Sequence, residues 1–159
     1  MIKKIFKSLG IVISLFVLLI IIYVAYVFIQ YYRIDDNKAL EIENNQTILL
    51  DKNQTFTLSS YNIGFGAYSQ NYSFFLDKGK TKEGIETKGK YSKALSKEDA
   101  LNNTIGAINV INDLNVDFAF FQEVDTKANR SYFVNQYEKM RETFTSFSTI
   151  FACNLHTAY

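Results

Sequence analysis

Residues 11–29 (IVISLFVLLIIIYVAYVFI) carry no charge, no proline and no glycine, with Ser14 as the one polar side chain. Nineteen helical residues at about 1.5 Å each match the roughly 30 Å hydrocarbon thickness of a bilayer. A cleaved secretion signal has an apolar region of only ~7 to 15 residues and ends at a small-x-small site, which Ala25-Tyr26-Val27 does not provide. A buried core helix rarely runs so long with so little polarity. The run predicts a transmembrane helix over residues 11–30, preceded by a basic tail over residues 1–10. Lys3, Lys4 and Lys7 precede the span, while Arg33 and Lys38 follow it closely. The positive-inside bias predicts a cytoplasmic N-terminus, a single pass through the cell membrane, and an extracytoplasmic remainder.

The rest of the 159-residue chain has the make-up of one water-soluble domain at most. Seventeen Lys and Arg stand against sixteen Asp and Glu, so a net charge of +1 supplies no whole-protein field for collecting polyanions. Cys153 is the single cysteine, which excludes an internal disulfide and a cysteine-based zinc cluster. Residues 31–54 are polar and Asn-rich and read as a linker, with a short strand expected at residues 47–50. Residues 55–63 (TFTLSSYNI) read as a strand that stops at Gly64-Phe65-Gly66. Residues 77–93, rich in Lys and Gly without apolar periodicity, read as a long mobile loop.

Ser96 followed by Asp99 marks a helix start, and Leu101, Ile105, Ile108 and Ile111 give it an apolar stripe ending near residues 114–115. Residues 116–124 (VDFAFFQEV) then read as a strand buried on both faces. Strand, helix, strand predicts a parallel pair whose C-terminal ends share one sheet edge, bringing Asn62 next to Glu123. A second helix is expected over residues 131–142, with Phe133, Tyr137 and Met140 on one side, and a third strand over residues 148–154.

Ligands of open parallel sheets bind beyond the carboxyl ends of the strands. A carboxylate there suits magnesium, which takes one or two protein carboxylates and fills its shell with water and phosphate. A neighbouring amide can hold a phosphate oxygen or a metal-bound water. Residue type and position alone favour a second reading, with Asn62 as a turn residue and Glu123 as a solvated strand end.

Ser60-Tyr61-Asn62-Ile63 and Phe121-Gln122-Glu123-Val124, the latter preceded by Asn115-Val116-Asp117, resemble the endonuclease/exonuclease/phosphatase superfamily. The longer runs SYNIGFGAYSQNYSFFLD and QEVDTKANRSYFVNQY resemble its membrane-anchored bacterial branch. The resemblance covers residues 55–159. It implies an α/β fold, the N-terminal half of a deoxyribonuclease-like four-layered sandwich behind one transmembrane helix. It also implies a metal-dependent phosphoesterase using magnesium or manganese, with a phosphoester substrate of unspecified type, nucleic acid among the candidates. Asn62 then matches the superfamily's asparagine at the phosphate and metal site, and Glu123 its metal-binding glutamate. Asp125, Arg130, Ser131 and Asn135 match the branch without assignable roles, and helix capping accounts for Asp125 and Ser131. His156, the single histidine, reads as a surface or supporting residue, not the catalytic base.

Such a domain needs roughly 250 residues. The middle His, the Asp-x-Asn pair and the terminal Asp-His pair have no counterpart in this chain, so it is expected to be an incomplete enzyme, inactive alone. The alternative is a non-enzymatic anchored extracytoplasmic domain that binds a partner or polyanion through the Lys-rich segment.

Overall fold

A 29-residue helix, α1 (Ile2–Gln30), opens the chain and exposes its apolar side chains on every side. The computed structural model describes residues 2–45 and 48–156. α1 begins nine residues before the uncharged run, so Lys3, Lys4 and Lys7 are helical. Its stretch Lys3–Gln30 is long and apolar enough to cross a membrane, although a secretion signal meets the same test of length and composition. The chain divides into two units: Met1–Leu40 with Ala152–Tyr159, and Glu41–Phe151.

The second unit is mixed α/β. Its centre is a parallel pair, β2 (Leu58–Asn62) with β5 (Phe118–Gln122), in which Asn62 is the register partner of Gln122. The connection between them contains α2 (Lys97–Leu114). Ser96 caps α2 by accepting the Asp99 N–H at 3.0 Å, and Asn115 ends it in the left-handed conformation at φ 48°. Asp117 closes the opposite end of the strand pair, accepting from Thr57 N–H at 2.7 Å and Thr57 Oγ1 at 2.8 Å.

One face of the pair carries the core. Ala119 and Phe121 of β5 pack with Ala107, Ile108 and Ile111 of α2 and with Met140 of α3 (Gln136–Thr143). The other face does not match the expectation of a strand buried on both sides. Phe118 and Phe120 are 37% and 53% exposed, because among the described residues both helices lie against the Ala119 and Phe121 side. The α2 stripe is rotated as well: Ile105 is exposed, and Ala100, Thr104 and Ala107 take buried places beside Ile108 and Ile111.

Four further segments differ from their sequence patterns. Residues 48–50 form no strand, and Thr47 lies outside the described residues. β1 (Ile42–Glu43) instead pairs antiparallel with β6 (Thr149–Ile150), to which the strand expected over residues 148–154 is shortened, residues 151–154 being irregular. Asn44 fastens this corner by donating to the Thr145 and Phe147 carbonyls at 2.6 and 3.0 Å. The Lys-rich segment contains a hairpin, β3 (Lys78–Lys80) with β4 (Glu86–Lys88), closed by Thr81 N–H on the Ile85 carbonyl at 2.8 Å. The second helix starts at Gln136 and not near Ser131, because Tyr132 and Phe133 take left-handed backbone (φ 54° and 58°) and Asn135 is the residue that caps, accepting the Glu138 N–H at 3.1 Å. Phe133 is therefore exposed, off the Tyr137 and Met140 side.

Gly66 shows why the first strand ends where it does. Its φ of +69° and its approach to α2 both exclude a side chain, since an added Cβ would stand 2.5 Å from the Ala100 carbonyl oxygen. The turn Gly64–Gly66 is thereby pressed onto the helix, and Asn103 donates to the Gly66 carbonyl at 3.0 Å.

Candidate functional site

Parallel pairing in register brings the C-terminal ends of β2 and β5 side by side, as the strand-helix-strand order requires. The ladder runs past the strands: Ile63 N–H donates to the Gln122 carbonyl and Phe65 N–H to the Glu123 carbonyl, both at 3.0 Å. Glu123 itself sits at φ 54°, a conformation uncommon for a residue with a Cβ and one that persists where surrounding contacts impose it. Here the Phe65 N–H holds its carbonyl and Asn62 holds its carboxylate.

Asn62 has both ends of its amide engaged. Oδ1 accepts the Gly64 N–H at 2.9 Å, closing a local turn, and Nδ2 donates to Oε1 of Glu123 at 3.0 Å. On the other side of Glu123, Nη1 of Arg130 lies 3.9 Å from Oε2. Arg130 is clamped to Asp125, with Nε and Nη2 donating at 3.0 and 2.9 Å, and its guanidinium lies 4.3 Å over the Phe65 ring. Two carboxylates thus share one guanidinium.

Asp125 is buried and is fixed through its backbone by Gln136, which accepts the Asp125 N–H on Oε1 at 2.8 Å and returns its own N–H to the Asp125 carbonyl at 2.9 Å. Gln136 Nε2 donates to Thr104 Oγ1 at 2.7 Å, and that hydroxyl donates to the Ala100 carbonyl at 2.6 Å. This corrects the capping expectation for Asp125 and Ser131. Asp125 is the counter-ion of Arg130, and Ser131 donates to the Ala128 carbonyl at 3.2 Å, neither of them serving a helix start.

Beside the pair opens a recess of about 630 Å³, lined by Asn62, Gly64, Tyr68, Asn103, Val110 and Glu123 among others. The Tyr68 hydroxyl is held above the ordinary tyrosine value by burial first, then by the negative charges of Asp77 and Glu123, with Arg130 opposing. Behind it, Tyr68 packs edge-on against Tyr72 at 4.9 Å.

Of the residues singled out from sequence, Asn62 and Glu123 meet directly and Arg130 and Asp125 adjoin them. His156 belongs to the first unit, where its ring stands edge-on to Tyr32 at 6.0 Å. Gln136, Thr104 and Tyr68 were not legible as site residues, since their parts depend on contacts between segments far apart in sequence.

Among the described residues, no three or more His, Cys, Asp or Glu side chains converge as a metal-binding group. The one carboxylate of the site with an open oxygen is Glu123, about two-fifths exposed, with Oε2 free of a hydrogen bond among the described residues, so a hard cation held here would have a single protein carboxylate as ligand. No protein-family model, curated protein or solved structure matches the chain.

Proposed function

We propose that the chain is a membrane-anchored, metal-dependent phosphoesterase-type protein, with Asn62 and Glu123 as its phosphate and metal site. The observation that carries this reading is the hydrogen-bonded amide–carboxylate pair at the adjacent C-terminal ends of two parallel strands, with Glu123 in left-handed backbone. On this reading the fold is the N-terminal half of a four-layered sandwich, and the exposed Phe118 and Phe120 face is where a further layer would pack. Lys3, Lys4 and Lys7 lie on the cytoplasmic side of the cell membrane and the second unit lies outside it.

Glu123 would hold magnesium or manganese, which when bound supplies charge neutralisation for a phosphoryl group. Asn62 fixes the carboxylate rotamer through Nδ2 while its own Oδ1 is tied to Gly64. Water activation calls for a general base other than the metal ligand. Within the second unit there is no histidine, the chain's one being His156 in the first. The histidine base that the resemblance implies is therefore not supplied by this unit, and the described site is assigned cation and phosphoester binding. Nucleic acid, a phospholipid head group and other phosphodiesters remain the substrate classes on this reading.

The test is manganese binding to the full chain in detergent micelles, read by electron paramagnetic resonance. One ion per chain is expected, with affinity at least about tenfold weaker in Glu123→Gln. Equal affinity in the two proteins would refute the site.

A further inference from the structure

Arg130 has one edge of its guanidinium left over. Asp125 takes Nε and Nη2, whereas Nη1 makes no hydrogen bond among the described residues, its nearest acceptor being Glu123 Oε2 at 3.9 Å, beyond hydrogen-bond reach. The head cannot swing freely. Its face lies on Phe65, which the turn Gly64–Gly66 buries to 2% exposure, and its clamp Asp125 is 8% exposed and bonded to Gln136. Yet the Arg130 side chain is 36% exposed, so part of it remains open to water, with Nη1 the guanidinium nitrogen that lies toward Glu123. A guanidinium held in place with unused donors is the usual recogniser of a planar or tetrahedral oxyanion.

We propose that Arg130 is the oxyanion-binding residue of this site, presenting Nη1 to a phosphoryl oxygen next to Glu123. The inference rests on the reading of Glu123 as a metal ligand. Alone, the cluster of Glu123, Asp125 and Arg130 is net negative and repels an oxyanion. With a divalent cation on Glu123 the same cluster becomes net positive and attracts one. Oxyanion binding therefore depends on the cation, and the Asp125 clamp serves to orient Arg130, not to bind ligand. The Lys78 and Lys88 pair on the hairpin also offers positive charge, but two exposed lysines opposite each other lack any such fixed geometry.

The experiment titrates inorganic phosphate into the full chain in micelles by calorimetry, with and without saturating magnesium, and titrates manganese separately by paramagnetic resonance. Arg130→Lys keeps the charge and loses the fork. The double variant Asp125→Asn with Arg130→Gln removes both partners, so that no buried charge is left unpaired. Expected are phosphate affinities at least about tenfold weaker in both variants and in the wild type without magnesium, with manganese affinity within about threefold of wild type. Phosphate affinity unchanged in both variants, or no phosphate binding to the wild type with magnesium, would overturn the role of Arg130. Equal wild-type affinity with and without magnesium would overturn the cation dependence. Manganese binding indifferent to Glu123→Gln is a separate result that overturns the metal reading instead, and with it the cation dependence.

Discussion

Asn62 and Glu123 stand 61 residues apart in sequence and meet through one hydrogen bond, from Nδ2 of the first to Oε1 of the second at 3.0 Å. The bond has only one polarity available, because Oδ1 of the same amide is already an acceptor for the Gly64 N–H at 2.9 Å. Turn and site are thus set by one side chain. Whatever fixes the Gly64 turn fixes the orientation in which Asn62 addresses Glu123.

Asn62→Asp keeps the turn acceptor and replaces the donor by a like charge facing Glu123. Repulsion between two close carboxylates raises the pKa of one of them. The folded state then binds more protons than the unfolded chain, so the destabilisation is present at neutral pH, fades as pH falls through the raised folded-state pKa, and is gone below the ordinary carboxylate value of about 4. We expect a loss of about 1 kcal/mol at pH 7, read from denaturant midpoints, and recovery on addition of manganese. A loss equally large in acid would show that the turn, and not the charge, had been damaged.

Gln136→Leu tests the buried strut behind Asp125. The substitution strands the Asp125 N–H and returns the Thr104 hydroxyl without its donor, both in fully or nearly fully buried surroundings. An unsatisfied buried group costs about 1–3 kcal/mol, so destabilisation near 2 kcal/mol is expected. Loss of Arg130 immobilisation should accompany it, visible as a more mobile guanidinium Nε–H resonance. A change below about 0.5 kcal/mol would mean that water replaces the amide.

What was legible in the sequence was what short spacing controls. Ser96 with Asp99 and the run through Ile111 specify α2 nearly to the residue, and the strand-helix-strand order specifies the parallel neighbourhood of Asn62 and Glu123. The start of α3 was also present, as Asn135 followed by Glu138, but Ser131 offered a competing cap and nothing local announces that Tyr132 and Phe133 turn left-handed. The pairing of Ile42 with Ile150 and the hairpin joining Lys78 to Lys88 are long-range or weakly patterned, since strands of two or three residues carry too few positions to show alternation. The Asp125 partnership with Arg130 and Gln136 is invisible for a related reason. Five- and eleven-residue separations across a 3-10 turn follow neither helical nor strand periodicity.

Orientation of the anchor is checked at Asn37, between the span and the second unit. In a Cys153→Ser background, Asn37→Cys should react with a membrane-impermeant maleimide on intact cells, and the chain should stay with the membranes through alkaline extraction. Replacing Lys3, Lys4 and Lys7 with glutamine weakens the charge asymmetry and should reduce that labelling. Labelling of Asn37→Cys confined to permeabilised cells would reverse the topology.

Tyr72, packed edge-on against Tyr68, links that aromatic cluster to alkaline stability. Its hydroxyl donates to the Tyr91 carbonyl at 3.3 Å. Its pKa is pushed up to about 12 by burial first, then by Tyr68 and Asp77. In the unfolded chain a tyrosine loses its proton near pH 10. The folded state therefore holds the proton more tightly, and the contribution of Tyr72 to stability is intact below about pH 10, declines as pH rises toward 12, and is gone above it. Tyr72→Phe removes the titrating group while keeping the ring that packs on Phe65, at a neutral-pH cost of about 1 kcal/mol for the lost hydrogen bond. Denaturant midpoints measured across the alkaline range should fall less steeply in the variant than in the wild type. Tyr68 contributes to the slope that remains, since its pKa is raised by burial first and then by the charges of Asp77 and Glu123. Identical slopes in the two proteins would show that Tyr72 ionises with equal ease folded and unfolded, and that water reaches its hydroxyl.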